Sequence, residues 1–442
     1  MAAVEKRGYF SGWTLKKEGI IAPDERLPWG QSIFVGLQHV LAMFGATVLA
    51  PILMGFNPNT AIFFSGIGTL IFFVVVGGRV PSYLGSSFSF IAVVIAASAY
   101  AGKGPNAHIG VALGGIIAAG VVYAIIAVIV MFAGYRWVEV LMPPVVTGAV
   151  VAVIGLNLAP AAIGNAGATP FDTWMALITA LAVAAVAVYL PGPLRRLPIL
   201  LGGIIGYIVY LIFANGLGLG KAIDFTALGK AAWIGLPNFT APTFQPNAMA
   251  LIAPVAIILV AENLGHIKAV SAMTGRDLDK YLGRAFLGDA LATIVSASGG
   301  GTGQTTYAEN IGVMAVTRIY STIIFIIAAV VAILLGFSPK FGALIATIPA
   351  GVLGGLSIVL FGLIAVAGAR IWVQNNVDFS KSRNLITAAV ALLLGAGNFT
   401  LNIAGFSLGG IGTATFGAII LYQILRERGT EVQESPELEV EA

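Results

Sequence analysis

Gly299-Gly300-Gly301-Thr302-Gly303-Gln304-Thr305-Thr306-Tyr307-Ala308-Glu309-Asn310-Ile311-Gly312-Val313 opens in glycine and small polar residues, turns apolar, and carries a glutamate inside the apolar part. A shorter counterpart lies far upstream, Tyr83-Leu84-Gly85-Ser86-Ser87-Phe88-Ser89-Phe90. Both head short apolar segments in a chain of apolar runs. Irregular backbone cannot face lipid, because its amides would go unsatisfied, but it can line a site enclosed by protein. Two glycine-interrupted segments at matching places in two halves of a chain point to a binding site near the membrane midplane.

The rest of the chain supports a membrane setting. It has 442 residues, 58% hydrophobic and 10% charged. A soluble domain carries about 25% charged residues, so a water-soluble globule is excluded. Apolar runs of roughly 20 residues recur along the length, each able to cross a hydrocarbon core of about 30 Å. The chain reads as an all-α polytopic membrane protein. A net charge of +4 leaves nucleic acid without a case as partner. The absence of cysteine removes disulfides and thiolate chemistry, and three histidines are too few for a transition-metal site.

About fourteen segments can be drawn, at 30–50, 58–78, 84–101, 110–133, 138–159, 173–190, 198–218, 248–270, 283–299, 304–317, 319–337, 344–368, 384–397 and 405–424. The stretch 219–247 reads as the loop between halves. Residues 1–29 lack the apolar core of a cleavable signal, so the first span serves for insertion. With both ends cytoplasmic, the inner breaks hold Arg79, Arg136, Arg195, Arg196, Arg276, Lys280, Arg284, Arg318, Arg370, Lys381 and Arg383. The outer breaks hold only Lys103, Lys221, Lys230 and Lys340, the asymmetry that the positive-inside rule expects. The acidic tail after Arg428 reads as solvated and disordered.

Glu262, in Val255-Ala256-Ile257-Ile258-Leu259-Val260-Ala261-Glu262-Asn263-Leu264-Gly265-His266, is the second acid of note beside Glu309. A carboxylate at bilayer depth costs about 2.5–3.5 kcal/mol on insertion scales and usually has a task. Glu262 and His266 stand at i and i+4, on one helix face, where they can hydrogen-bond. Helices starting after the two breaks would aim free N–H groups at a ligand's acceptors, with the glutamates accepting from its donors. A nucleobase lactam fits that inventory, with Phe88 and Tyr307 available to stack on its ring. An anion also fits the helix ends, so the residues alone leave both open.

Gly36-Leu37-Gln38-His39, Gly85-Ser86-Ser87-Phe88, Ala261-Glu262-Asn263-Leu264-Gly265-His266 and Thr306-Tyr307-Ala308-Glu309-Asn310-Ile311-Gly312-Val313 together resemble the motifs of the nucleobase–cation symporter-2 (nucleobase–ascorbate transporter) family. Arg318 favours its pyrimidine branch over its purine branch. The resemblance implies fourteen spans in a seven-plus-seven inverted repeat, with short strands in segments three and ten. It implies a core of segments one to four and eight to eleven, and a gate of segments five to seven and twelve to fourteen. In residues, 30–160 hold core segments one to four and the start of the gate, and 161–247 hold gate segments six and seven with the inter-repeat loop. Residues 248–338 return to the core and 339–425 to the gate, with a cytoplasmic tail at each end (1–29 and 426–442).

For function, the resemblance implies a proton-coupled importer of uracil, with thymine a further candidate, in a bacterial cytoplasmic membrane. Lipid is its surroundings and a homodimer through the gate is the implied assembly. No cofactor is expected beyond the co-transported proton. Glu262, Glu309 and the amides of Phe88 and Ala308 would hold the base, while His266 would bond Glu262 and join the proton path. Ala308 stands where relatives often have glycine, which leaves its amide in place, and Phe361 stands where a relative has tyrosine. A purine or xanthine permease of the same family is the alternative, and an anion exchanger of the same fold the more distant one.

Other polar residues admit plainer roles. Asp289 reads as tying helices together before it reads as a proton site, and His39 as shaping the site with Gln38. His108 belongs to an outer loop, and Lys268 can extend its amine to the interface. The glycine run at 299–303 is followed by Gln304 and lacks the lysine of a phosphate-binding loop. Nothing in the spacing suggests a hydrolase.

Overall fold

The apolar runs fold as helices whose ends are set by proline and glycine. Pro58, Pro144, Pro170, Pro198, Pro246 and Pro339 each stand at a first helical position, where a missing N–H costs nothing. The computed structural model describes residues 9–10, 12–102, 104–403 and 406–425. The acidic C-terminal tail, Lys6, Arg7 and Lys103 lie outside the described residues.

The N-terminal approach forms a short parallel pair, β1 (Thr14–Leu15) and β2 (Glu25–Arg26). The first half continues through α1 (Trp29–Met54), α2 (Pro58–Val75), β3 (Leu84–Ser86), α3 (Ile91–Ser98) and α4 (Ile109–Ala133). It ends with α5 (Arg136–Leu141), α6 (Pro144–Asn157), α7 (Ala159–Ala166), α8 (Pro170–Tyr189) and α9 (Pro198–Leu211). α9 runs on into a π-helical turn, Ile212–Gly216, and the connection from there to the second half is irregular apart from α10 (Thr226–Lys230). The second half holds α11 (Pro246–Ile252), α12 (Val255–Thr274), α13 (Leu282–Ser298), β4 (Gln304–Thr306), α14 (Ala308–Thr317) and α15 (Thr322–Gly336). It closes with α16 (Pro339–Ala346), α17 (Ala350–Gln374), α18 (Ser382–Ala396), the hairpin β5 (Leu401–Ile403) and β6 (Phe406–Leu408), and α19 (Gly410–Ile424).

Every apolar segment drawn from the sequence meets a helix or a strand followed by a helix, with shifted ends. The eighth is broken beside Pro254, which separates α11 from α12, and the twelfth starts later and runs to Gln374. Among the described residues eight helices are long and apolar enough to cross a membrane alone, or nine if the bent pair α15 and α16 counts as one span. The segments outside that number are short for physical reasons: α3 and α14 follow strands, α18 and α19 have 15 residues each, and α13 carries Arg284 and Asp289.

The helices pack in two sets. In one, α13 lies against α4 and α2, and α15 against α2 and α1; in the other, α17 lies against α6, α7 and α8, and α18 and α19 against α6. Small residues let the crossing helices approach: a Cβ on Gly155 would sit 2.3 Å from the Phe361 carbonyl oxygen, and one on Gly368 2.4 Å from that of Gly148. Helix α12 touches both sets, through α4, α13 and α14 on one side and α6 and α19 on the other. That position makes it the natural carrier of a site between them.

β3 and β4, from opposite halves of the chain, pair antiparallel with Leu84 opposite Thr306, Gly85 opposite Thr305 and Ser86 opposite Gln304. The ladder extends at both ends, where Ser87 N donates to Gly303 O (2.8 Å) and Tyr307 N to Tyr83 O (3.0 Å). All six strand residues are buried. Gly85 is demanded here, because a Cβ would lie 2.5 Å from the Tyr307 ring and 2.7 Å from Thr47 Oγ1. Gly85→Ala is therefore expected to destabilise the protein by about 1–3 kcal/mol through overpacking. Gly312→Ala, with nothing within 4 Å of its would-be Cβ, should leave the thermal midpoint in detergent unchanged or slightly raised. Equal midpoints for both variants would contradict the packing described.

Candidate functional site

Each strand delivers a helix N-terminus. After β3 the chain makes one 3-10 turn, Phe88–Phe90, and runs into α3; after β4 it enters α14 directly at Ala308. Because the strands are antiparallel, the two helices leave the pair in opposite directions. First-turn amides have no carbonyl one turn earlier in their helix to bond. Those of Phe88 and Ala308 are such amides, and they lie at opposite ends of one strand pair. Ala308 is exposed and Phe88 buried. The rings of Phe88 and of Phe361 on α17 meet in a T-shaped arrangement, with centroids 5.8 Å apart, so the two helix sets touch at this point.

Glu262 lies mid-way along α12 and Glu309 in the first turn of α14; both are half-buried. Glu262 Oε2 accepts from Ser89 Oγ at 3.4 Å, a long bond from the turn that follows β3. The structure thus brings Glu262 against the first strand's helix start, while Glu309 rides on that of the second. A favourable position for a carboxylate is the positive end of a helix, which Glu309 occupies.

His266 departs from the i, i+4 expectation. Its Nδ1 lies 2.8 Å from Thr306 Oγ1, across to β4, while the carboxylate of Glu262 is bonded to Ser89. Helical spacing allowed a Glu262–His266 bond, but the strand brings a hydroxyl closer. Thr306 Oγ1 in turn donates to Asn263 Oδ1 (2.8 Å), and Asn263 Nδ2 donates to Tyr123 of α4 (2.9 Å) and to Asp289 of α13. Asp289 is fully buried and bonded to Asn263, which is the helix-tying arrangement the sequence suggested.

Tyr307 has a different occupation from the ring-stacking one. Its hydroxyl donates to the Ser86 carbonyl (3.0 Å) and accepts from Thr47 Oγ1 (3.2 Å), so it braces β3 against α1. His39 is buried, with Asn310 Nδ2 bonding its Nδ1 (2.9 Å) and its carbonyl (3.1 Å) and Phe325 against its ring. Gln38 is buried beside it in sequence, and its amide nitrogen finds no hydrogen-bond partner. Lys268 does more than reach the interface: it pairs with Asp279 (2.7 Å) and Glu139 (3.0 Å). His108 caps nothing with its side chain at the start of α4.

Thr306, Asn263, Tyr123, Ser89 and Thr47 were not singled out from the sequence. Asn263 carried a signal, a second polar residue next to Glu262 in an apolar helix. The hydroxyl groups carried none, because serine and threonine are common in membrane helices. Among the described residues no group of histidines and acids is arranged to hold a metal ion. A cavity of about 1050 Å³ lies elsewhere, lined by Asn59, Asn106, Asn165 and Asn238 among others, and includes neither glutamate.

A bundle of membrane helices with two broken segments meeting at a pair of buried strands is the build of a multi-pass transporter. The model of the permease family (Xan_ur_permease) matches residues 30–404, and the chain belongs to this family. It is 62% identical over 427 residues to the "Putative pyrimidine permease RutG" of Escherichia coli (strain K12), covering 96% of this chain and 97% of that one. It is 42% identical to a "Uracil permease" of Bacillus caldolyticus, over 90% and 93% of the two chains. Among solved structures the transmembrane domain of the cyanobacterial bicarbonate transporter BicA shares the fold, with TM-score 0.58 and 17% identity over 83% of this chain and 96% of that one. SLC26A9 aligns with TM-score 0.65 and 13% identity over 89% of this chain and 64% of that one. The chain is a transporter and not an enzyme, and the family resemblance read from its motifs holds.

Tyr307→Phe keeps the ring and deletes the brace. The expected result is a loss of about 1–2 kcal/mol, since the Ser86 carbonyl is left to find another donor in a buried place. A thermal-unfolding comparison in detergent checks it. An unchanged midpoint would mean that the hydroxyl does not hold β3.

Proposed function

We propose that the protein imports uracil, or a closely related pyrimidine base such as thymine, together with a proton across the bacterial cytoplasmic membrane. The observation that carries this reading is the juxtaposition at the strand pair. Two helix-start amides, Phe88 and Ala308, stand ready for carbonyl acceptors, and two carboxylates, Glu262 and Glu309, for ring N–H donors. A pyrimidine lactam alternates these groups around one small ring, and the Phe88 ring offers it an apolar wall. An anion would meet two carboxylates, which speaks against the exchanger alternative. The names borne by the relatives point the same way.

In this reading the fourteen segments are fourteen spans in a seven-plus-seven inverted repeat, with both termini cytoplasmic and the helix set holding α1, α2, α4, α13 and α15 as core. The set holding α6, α8, α17, α18 and α19 is the gate, through which two copies would associate. Glu262 takes the proton, His266 assists it, and Glu309 holds the base. Neutralising Glu262 with a proton and filling the site with a base together remove the electrostatic cost of moving the core past the gate, which couples the two fluxes.

Uptake of labelled uracil into vesicles tests this directly. Wild type should accumulate uracil against its gradient only when a proton gradient, acid outside, is imposed. Glu262→Gln should abolish accumulation while equilibrium uracil binding persists, and Glu309→Ala should weaken binding about ten- to a hundredfold, the worth of a hydrogen bond to a charged group. Accumulation by Glu262→Gln would remove it from proton coupling. Labelled uracil displaced more readily by xanthine than by unlabelled uracil would move the substrate to the purines.

A further inference from the structure

The chain of bonds from His266 into the protein has a direction, and the direction fixes a proton. Tyr123 donates its hydroxyl proton to the Leu259 carbonyl (3.4 Å), so it meets Asn263 Nδ2 as an acceptor. A carboxylate oxygen of Asp289 accepts from the same amide nitrogen. With Tyr123 and Asp289 both acceptors, the Asn263 amide nitrogen is assigned to their side, and its oxygen to the side of Thr306. A threonine hydroxyl has one proton, and that of Thr306 is spent on Asn263 Oδ1 (2.8 Å). What remains for His266 Nδ1, at 2.8 Å, is a lone pair, so Nδ1 must be the nitrogen that carries hydrogen.

We propose that Thr306 and Asn263, anchored by Tyr123 and Asp289, are positioning residues that hold neutral His266 as its Nδ1–H tautomer, leaving Nε2 as a free base for the transported proton. This rests on the proton-coupling role given to His266 above. In the other tautomer Nε2 would carry hydrogen and could accept nothing. No residue in the relay needs to touch the base. Asn263, Thr306, Tyr123 and Asp289 are all fully buried, so water does not compete for these bonds. The titratable and charged groups on the elements packed against the helix of His266 are Glu262 and Lys268 on that helix, Tyr123 on α4, Arg284 and Asp289 on α13, Asp279, Lys280 and Tyr281 in the 3-10 turn before α13, Tyr307 next to β4, Glu309 on α14 and Tyr422 on α19. Helix α6, also against α12, contributes no titratable side chain. The imidazole Nδ1 meets instead Thr306 Oγ1, a group that does not itself titrate.

The tautomer can be read without reference to transport. Protein labelled with nitrogen-15 at histidine has three imidazoles, and His266→Gln identifies the signal of interest by its loss. At a pH where the ring is neutral, wild type should show a protonated Nδ1 and an unprotonated Nε2. Thr306→Ser should keep that pattern, and Thr306→Val should shift it towards Nε2–H. Thr306→Val should also lower proton-driven uracil accumulation about tenfold, the scale of one lost hydrogen bond, with its pH profile displaced and uracil affinity within about twofold of wild type. Thr306→Ser should restore uptake. An Nε2–H signal in wild type overturns the proposal even if Thr306→Val does not fold. The predicted tautomer with no change of uptake in a folded Thr306→Val would refute the positioning role while leaving the uracil reading to its own test.

Discussion

A peptide group inside a bilayer must find its hydrogen-bond partner within the protein, and the strands β3 and β4 are where this chain meets that demand outside a helix. Each is three residues long and neither could exist alone, because its amides would face apolar surroundings without partners. They satisfy each other across the two halves of the sequence, with Leu84 opposite Thr306 and Ser86 opposite Gln304. The requirement for close approach follows from it. Gly85 admits the Tyr307 ring, and a Cβ on Gly303 would collide with Phe90 at 2.2 Å. The same pairing starts a helix at each of its two ends, so helix-start amides and acidic side chains flank one strand pair because the backbone had to be closed there.

Polar side chains in the interior are organised around this pair. Thr306 reaches His266 and Asn263, Tyr307 returns to Ser86 and Thr47, and Ser89 finds Glu262. Such buried networks are costly when incomplete and rigid when complete. The half-burial of Glu262, His266 and Glu309 against full burial of Asn263, Thr306 and Asp289 separates residues that can meet a solute from those that hold them.

Much of this was legible in the sequence. Glycine and small polar residues at 299–306, echoed at 85–87, marked the broken segments because nothing else explains such residues within apolar runs. Glu262 and Glu309 stood out by the cost of burying charge. Side-chain partners were not legible, since spacing along one helix shows who can meet but not who arrives from elsewhere. Glu262 and His266 illustrate it: the i, i+4 relation was available, yet Ser89 and Thr306 come closer from the strand segments. Tyr307 looked like a ring for stacking because its hydroxyl partners lie in α1 and β3, far away in sequence. Helix ends differ from the sequence reading where proline breaks a span, as at Pro254, or where a strand precedes the helix, as β6 does α19, whereas α18 lies within two residues of its expected ends.

A structure of the protein with uracil bound is the most direct measurement of where its chemistry lies. The base should sit between the amides of Phe88 and Ala308, with carboxylate oxygens of Glu262 and Glu309 within hydrogen-bond distance of the ring. A base found instead in the cavity beside Asn59 and Asn106, touching neither glutamate, would contradict the assignment of the strand pair as the transport site.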